Sequence, residues 1–187
     1  MVGTEKLKWG VLGTADIATR QVIPATQRSE SGRVAAIASR SEEKAAHAAR
    51  AFDIERHYGS YEHLVEDSGL DAIYIPLPNS MHLEWVIRAA EAGKHILCEK
   101  PLGVTADECR QMVNAARKNK VLLVEAFWYR HHPQNQLVKS LVTTGSLGEL
   151  KIVRGYLQGK GFNPESNIRF SSKLGGGTLL DLSLIHI

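Results

Sequence analysis

Short apolar runs alternate with amphipathic ones along the first two thirds of the chain. Lys8–Leu12 and Arg33–Ala38 have the composition of buried strands, and each is followed by helical spacing, about Asp16–Gln27 and Glu42–Phe52. Ala72–Ile75 is a further apolar run, stopped by Pro76. The helical pattern His82–Ala92 closes at Gly93, a common helix stop. The strand His95–Cys98, the helix Ala106–Lys118 and the strand Val121–Val124 complete the series. Strands that are apolar throughout and separated by helices predict a parallel sheet covered on both faces. The fold class expected is therefore α/β, a Rossmann-type doubly wound parallel sheet, with residues 1–124 as one domain.

Beyond Val124 the pattern changes. His132–Thr143 predicts a helix, Gly148–Leu157 a long strand, and Gly161–Gly177 a loop. One helix and one strand cannot bury a core by themselves. Residues 125–187 are thus expected to be the beginning of an incomplete α+β second domain.

Composition narrows the classes open to such a fold. With 43% hydrophobic and 23% charged residues the chain resembles an ordinary soluble domain. A formal net charge of +3 is spread without any run of Lys or Arg, which argues against nucleic acid as a partner. No apolar run approaches eighteen residues, and the first residues lack the apolar centre of a secretory signal, so no membrane partner and a cytoplasmic location are expected. Cys98 and Cys109 have no CxxC spacing and are expected to be reduced thiols. The adjacent His131 and His132 lack a third ligand at suitable spacing, and no metal is expected. Trp9, Trp85 and Trp128 are expected to be packing residues.

Candidate chemistry begins at the first strand-to-helix turn. Gly13-Thr14-Ala15-Asp16-Ile17-Ala18 follows the G-x-G-x-x-G/A register, with Ala15 where the second glycine would stand. Gly13 makes the tight turn, Ala15 lies where backbone approaches a pyrophosphate, and Ala18 lets helix and strand pack. Thr14 and Ile17 belong to the same candidate cofactor-binding turn. The second strand ends Ala38-Ser39-Arg40-Ser41, with Lys44 one turn on. An acid at this tip would bond a ribose 2′-hydroxyl; a Ser-Arg pair instead hydrogen-bonds and neutralises a 2′-phosphate. The cofactor expected is NADP. Glu99-Lys100-Pro101 ends another strand at the same edge of the sheet, where Lys100 can bind a substrate hydroxyl and take part in proton transfer.

These pieces occur in an ordered set. It includes Gly10-x-x-Gly13-x-Ala15, Pro76-Leu77-Pro78-Asn79 with His82, and Ala92-Gly93-Lys94 through Pro101. Glu125–Arg130, Gly145–Glu149 and Gly175–Asp181 follow. As a set they resemble the glucose-fructose oxidoreductase/inositol dehydrogenase/MocA family. Glu125–Pro133 and Asn167-Ile168-Arg169 look closest to its NADP-dependent D-xylose dehydrogenase and dihydrodiol dehydrogenase branch. The resemblance implies hydride transfer between NADP and a sugar or cyclic diol. It implies Lys100 and Asp181 as catalytic residues, with Tyr129 joining them at the substrate. It also implies that Pro76, Leu77, Asn79, His82, Glu99 and Arg169 border the cofactor, and that a C-terminal sheet supports homo-oligomers.

The resemblance stops at Asp181. The family pattern continues Asp-x-Gly-x-His/Tyr, whereas Ser183 and Ile185 occupy those places here. Leu182–Ile187 matches what a transposon end used in sequencing libraries encodes in one frame, so the native frame is expected to end near Asp181 and 182–187 to be an artefact. The fragment is expected to be inactive. A non-catalytic NADP-binding sensor or regulator on the same fold is the alternative, since fold does not fix function.

Overall fold

In the computed structural model, residues 5–154 and 167–177 are described. Six strands form one parallel sheet: β1 (Leu7–Leu12), β2 (Gly32–Ala38), β3 (Arg56–Tyr58), β4 (Ala72–Ile75), β5 (His95–Cys98) and β6 (Leu123–Glu125). Their spatial order is β3-β2-β1-β4-β5-β6, all neighbours parallel. The order reverses between β1 and β4, and it is outside the carboxyl ends of such strands that open α/β sheets bind ligands.

The helices are α1 (Ile23–Gln27), α2 (Glu42–Ala51), α3 (Tyr61–Glu66), α4 (His82–Glu91), α5 (Ala106–Lys118) and α6 (Pro133–Thr143). A π-helical turn, Ala18–Val22, leads into α1. Alternation along each strand sends side chains to two cores. Val11, Val34, Ile37 and Tyr74 pack with Ile23, Ala48 and Ala49 on the α1–α2 side. Leu12, Ala36, Ile73, Ile75 and Ile96 pack with Leu64, Trp85, Val86 and Met112 on the α3–α5 side. Gly10 permits this second core to close: a Cβ there would stand 2.7 Å from both Leu64 and Leu70. α2, α3 and α5 each start on a hydroxyl cap, where Ser41, Ser60 and Thr105 accept from the N–H groups of Lys44, His63 and Glu108. Lys94, from the Ala-Gly-Lys motif, is buried at the opposite, amino edge. Its Nζ donates to the carbonyls of Asp67 (2.7 Å) and Leu70 (2.8 Å), a purely structural use.

Two features differ from the sequence expectation. β3 and α3 lie in a stretch given no element above; both are too short to carry a periodic signal. The strand expected over Gly148–Leu157 does not form across 148–154, and residues 155–157 lie outside the described part. Ile152 and Val153 are 70% and 75% exposed. No strand among the described residues lies beside them, and an extended run without a partner has only water for its backbone groups. α6 is likewise exposed along its length apart from Leu141. Among the described residues the α1–α2 side of the sheet is open over β5 and β6, leaving Leu122 and Val124 exposed. Within the described residues no helix is long and apolar enough to cross a membrane.

Candidate functional site

Three chain crossings at the carboxyl edge of the sheet build the site. At the first, β1 ends in the Gly13 turn. Gly13 adopts φ +100°, a conformation that strains any residue with a side chain, and a Cβ there would meet Leu77 at 3.3 Å. Its N–H donates to the Ala38 carbonyl (2.8 Å), tying the turn to the tip of β2. At that tip Ser39 is buried. Its N–H donates to the Tyr58 carbonyl (3.0 Å), and its hydroxyl accepts from the Ser41 N–H (3.3 Å). Arg40 and Lys44 are exposed just beyond it, two cations with no acidic residue between Ala38 and Ser41.

At the second crossing β4 leaves through Pro76 and Leu77, both buried. The fully buried ring of His82 lies under this loop. Its Nε2 is 2.9 Å from the Leu77 carbonyl and its Nδ1 2.9 Å from the Pro101 carbonyl, so one imidazole joins two loops. His82 thus reaches the site through backbone rather than by facing the cleft. Asn79 donates from Nδ2 to the Gly175 carbonyl (2.8 Å), drawing segment 167–177 onto the rim.

At the third crossing β5 delivers Glu99 and Lys100. The Glu99 N–H donates to the Ile75 carbonyl (3.1 Å), and its carboxylate accepts from the Tyr74 hydroxyl (2.8 Å) and the Lys100 N–H (3.2 Å). Burial, with the Glu99 charge beside it, pushes the Tyr74 hydroxyl far up, so it serves as a fixed donor. Lys100–Pro101 is a cis peptide. The Leu102 N–H donates to the Glu125 carboxylate (2.8 Å), so β6 also helps to hold the Lys100 loop. Burial pushes the Cys98 thiol well up, which suits a packed, unreactive thiol at the end of β5.

Between these crossings lies a cleft of about 560 Å³. Of the residues singled out in the sequence, Ala15, Ile17, Pro76 and Leu77 line one part of it. Asn79, Glu99, Lys100 and Arg169 line the rest. Gly13, Thr14, Ser39, Arg40 and Lys44 stand along the adjoining edge, outside the cleft lining. Tyr129 also lies outside it, stacked edge-on with Phe127 at 5.4 Å. Asp181 and residues 182–187 lie outside the described residues.

Trp128 departs from its expected packing role: it is 68% exposed and lines the cleft. Asp16, Asn167 and Ile168 also line it; each lay in a motif quoted above, but no site role was assigned to it. A lone Trp gives no sequence signal of exposure, and Asp16 looked like a helix-start residue. Among the described residues no group of three His, Cys, Asp or Glu could hold a metal ion.

With the geometry in place, the chain can be set beside known proteins. Residues 7–127 match the profile of the Gfo/Idh/MocA group, described as an oxidoreductase family with an NAD-binding Rossmann fold. The chain is 43% identical over 176 residues to D-xylose 1-dehydrogenase (NADP(+)) 2 of Haloferax volcanii, covering 94% of this chain and 54% of that protein. It is 34% identical over 176 residues to the trans-1,2-dihydrobenzene-1,2-diol dehydrogenase of Xenopus laevis, covering 94% and 53%. The crystal structure of KijD10, a 3-ketoreductase from Actinomadura kijaniata with NADP and TDP-benzene, superimposes with a TM-score of 0.84 at 36% identity. That match covers 95% of this chain and 54% of KijD10. The chain spans about half the length of the relatives it matches.

Proposed function

Because the chain belongs to the Gfo/Idh/MocA oxidoreductase family, we propose that it is the cofactor half of an NADP-dependent enzyme acting on the CH–OH or C=O group of a sugar-like or cyclic diol substrate. The observation that carries this reading is the meeting of the Gly13 turn and the Ser39-Arg40 tip along one carboxyl edge, beside the cleft that Lys100 lines.

The residues fit the cofactor. Gly13, at φ +100°, makes the tight turn that brings the backbone at Ala15 to where a pyrophosphate would lie. The exposed Arg40 and Lys44 supply charge for a 2′-phosphate, and a planar guanidinium can also stack on adenine. When bound, NADP supplies hydride transfer at its nicotinamide. Lys100, in the cleft, binds the substrate oxygen and exchanges a proton with it as the carbon gains or loses hydride. Glu99 and Glu125 hold the Lys100 loop in place through backbone N–H groups. Arg169 closes the cleft from segment 167–177.

Residues 125–187 are assigned to the start of the substrate domain, where Tyr129 and Asp181 are assigned to the substrate and where self-association would lie. With α6 exposed and half the sheet face open, the 187-residue chain is assigned cofactor binding with little turnover.

The test is a titration of the purified chain with NADPH and with NADH, read by fluorescence of Trp128 at the cleft. Tighter binding of NADPH is expected; tighter binding of NADH overturns the cofactor assignment.

A further inference from the structure

Tyr61 lies outside the cleft lining and carries no motif, yet it stands where the cofactor-binding parts join. It opens α3 directly after the Ser60 cap, on the carboxyl side of β3. Its ring is 7% exposed and edge-on to Trp85, with 5.2 Å between centroids, so the direction of its C–O bond is set by packing. The hydroxyl comes up beside the first turn: a Cβ on Gly13 would lie 3.5 Å from Tyr61 Oη. Two backbone hydrogen bonds bring the neighbouring segments to the same place, Gly13 N–H to the Ala38 carbonyl and Ser39 N–H to the Tyr58 carbonyl. Arg40 follows immediately. Burial pushes the Tyr61 hydroxyl up, with the neighbouring Arg40 guanidinium acting in the opposite direction, so the phenol keeps its proton and lies within electrostatic reach of that cation.

A long exposed arginine has many rotamers, and an anion that needs one of them must order it on binding. A phenol oxygen fixed by a packed ring can do that ordering beforehand. We propose that Tyr61 is a positioning residue for cofactor selectivity, its hydroxyl steadying the Arg40 guanidinium beside the Gly13 turn to receive the ribose 2′-phosphate. The inference rests on the NADP reading above and adds to it a residue from a different element, α3.

Tyr61→Phe removes the hydroxyl and keeps the ring against Trp85. Dissociation constants for NADPH and NADH are measured for the unaltered chain, Y61F, R40A and the double variant. Loss of one hydrogen bond to a charged group is expected to weaken NADPH binding about tenfold. NADH binding is expected to stay within about twofold, because no 2′-phosphate is present to use the cation. In the R40A background Y61F is expected to add nothing. Parallel weakening of both cofactors, or an undiminished effect of Y61F without Arg40, overturns the positioning role. A chain that in its unaltered form binds NADH more tightly fails at the earlier step and overturns the NADP reading itself. Should Y61F not fold, Tyr61→Met fills the same space without a hydroxyl and is read by the same ratio.

Discussion

At the scale of single residues, His82 shows how the site is held from beneath. Both ring nitrogens face carbonyl oxygens at 2.9 Å, one on the loop after β4 and one on the loop after Lys100, in a fully buried setting. A neutral imidazole donates from one nitrogen only, so removing the ring strands at least one buried acceptor, and His82→Leu is expected to destabilise the chain by about 1–3 kcal/mol, measured by urea unfolding. A loss under about 0.5 kcal/mol would mean that water replaces both contacts. Sequence placed His82 near the cofactor because of its motif, but which way the ring faces depends on Leu77 and Pro101, 5 and 19 positions away. Gly13 as a turn with positive φ and Lys100 as a cation at a strand end were legible because both are local features. Tyr61 and Trp128 were not, since a ring beside a cleft and a ring in a core have the same letters around them.

At the scale of elements, boundaries follow from caps and breakers that act over a few residues. α5 combines the Thr105 cap, a Glu108 carboxylate accepting from the Val104 N–H at 2.8 Å, acids in the first turn and Arg117 and Lys118 in the last. Thr105→Ala is expected to cost about 1 kcal/mol, seen as a fall of a few degrees in Tm by circular dichroism. The cost stays local to a helix that packs on α4 through buried Met112 and Ala116. The first helix was predicted as one run over Asp16–Gln27, and the structure inserts the π turn Ala18–Val22 within it. A widened turn leaves no mark in hydrophobic spacing over so short a stretch. β3, at three residues, gave no alternation to read and is defined instead by its pairing with β2.

For the whole molecule, the described part divides into a covered half-sheet and an open one. β2 and the carboxyl half of β1 are packed on both faces, whereas the side over β5 and β6 leaves Leu122, Val124 and Trp128 exposed, and α6 exposes Leu137 and Val138. An apolar surface of this kind is a common mark of an interaction face or a ligand groove. On the reading proposed above, turnover of aldoses and cyclic diols with NADP is expected to fall at least about a hundredfold below that of a full-length relative, the usual scale of an acid/base contribution. Robust oxidation by the purified 187-residue chain would contradict that expectation. By itself the sequence determined the α/β alternation, the turn at Gly13, the cationic tip at Ser39-Arg40 and the lysine at the end of β5. Each of these is a local matter of period, backbone freedom or charge. Only the tertiary structure decided that strands distant in the chain pair in the order β3-β2-β1-β4-β5-β6 and bring these pieces to one edge. It alone brought the Tyr61 hydroxyl beside the Gly13 turn and, among the described residues, left 148–154 without a strand partner. Such outcomes depend on which surfaces meet across long separations, and no stretch of residues encodes that meeting in its own neighbours.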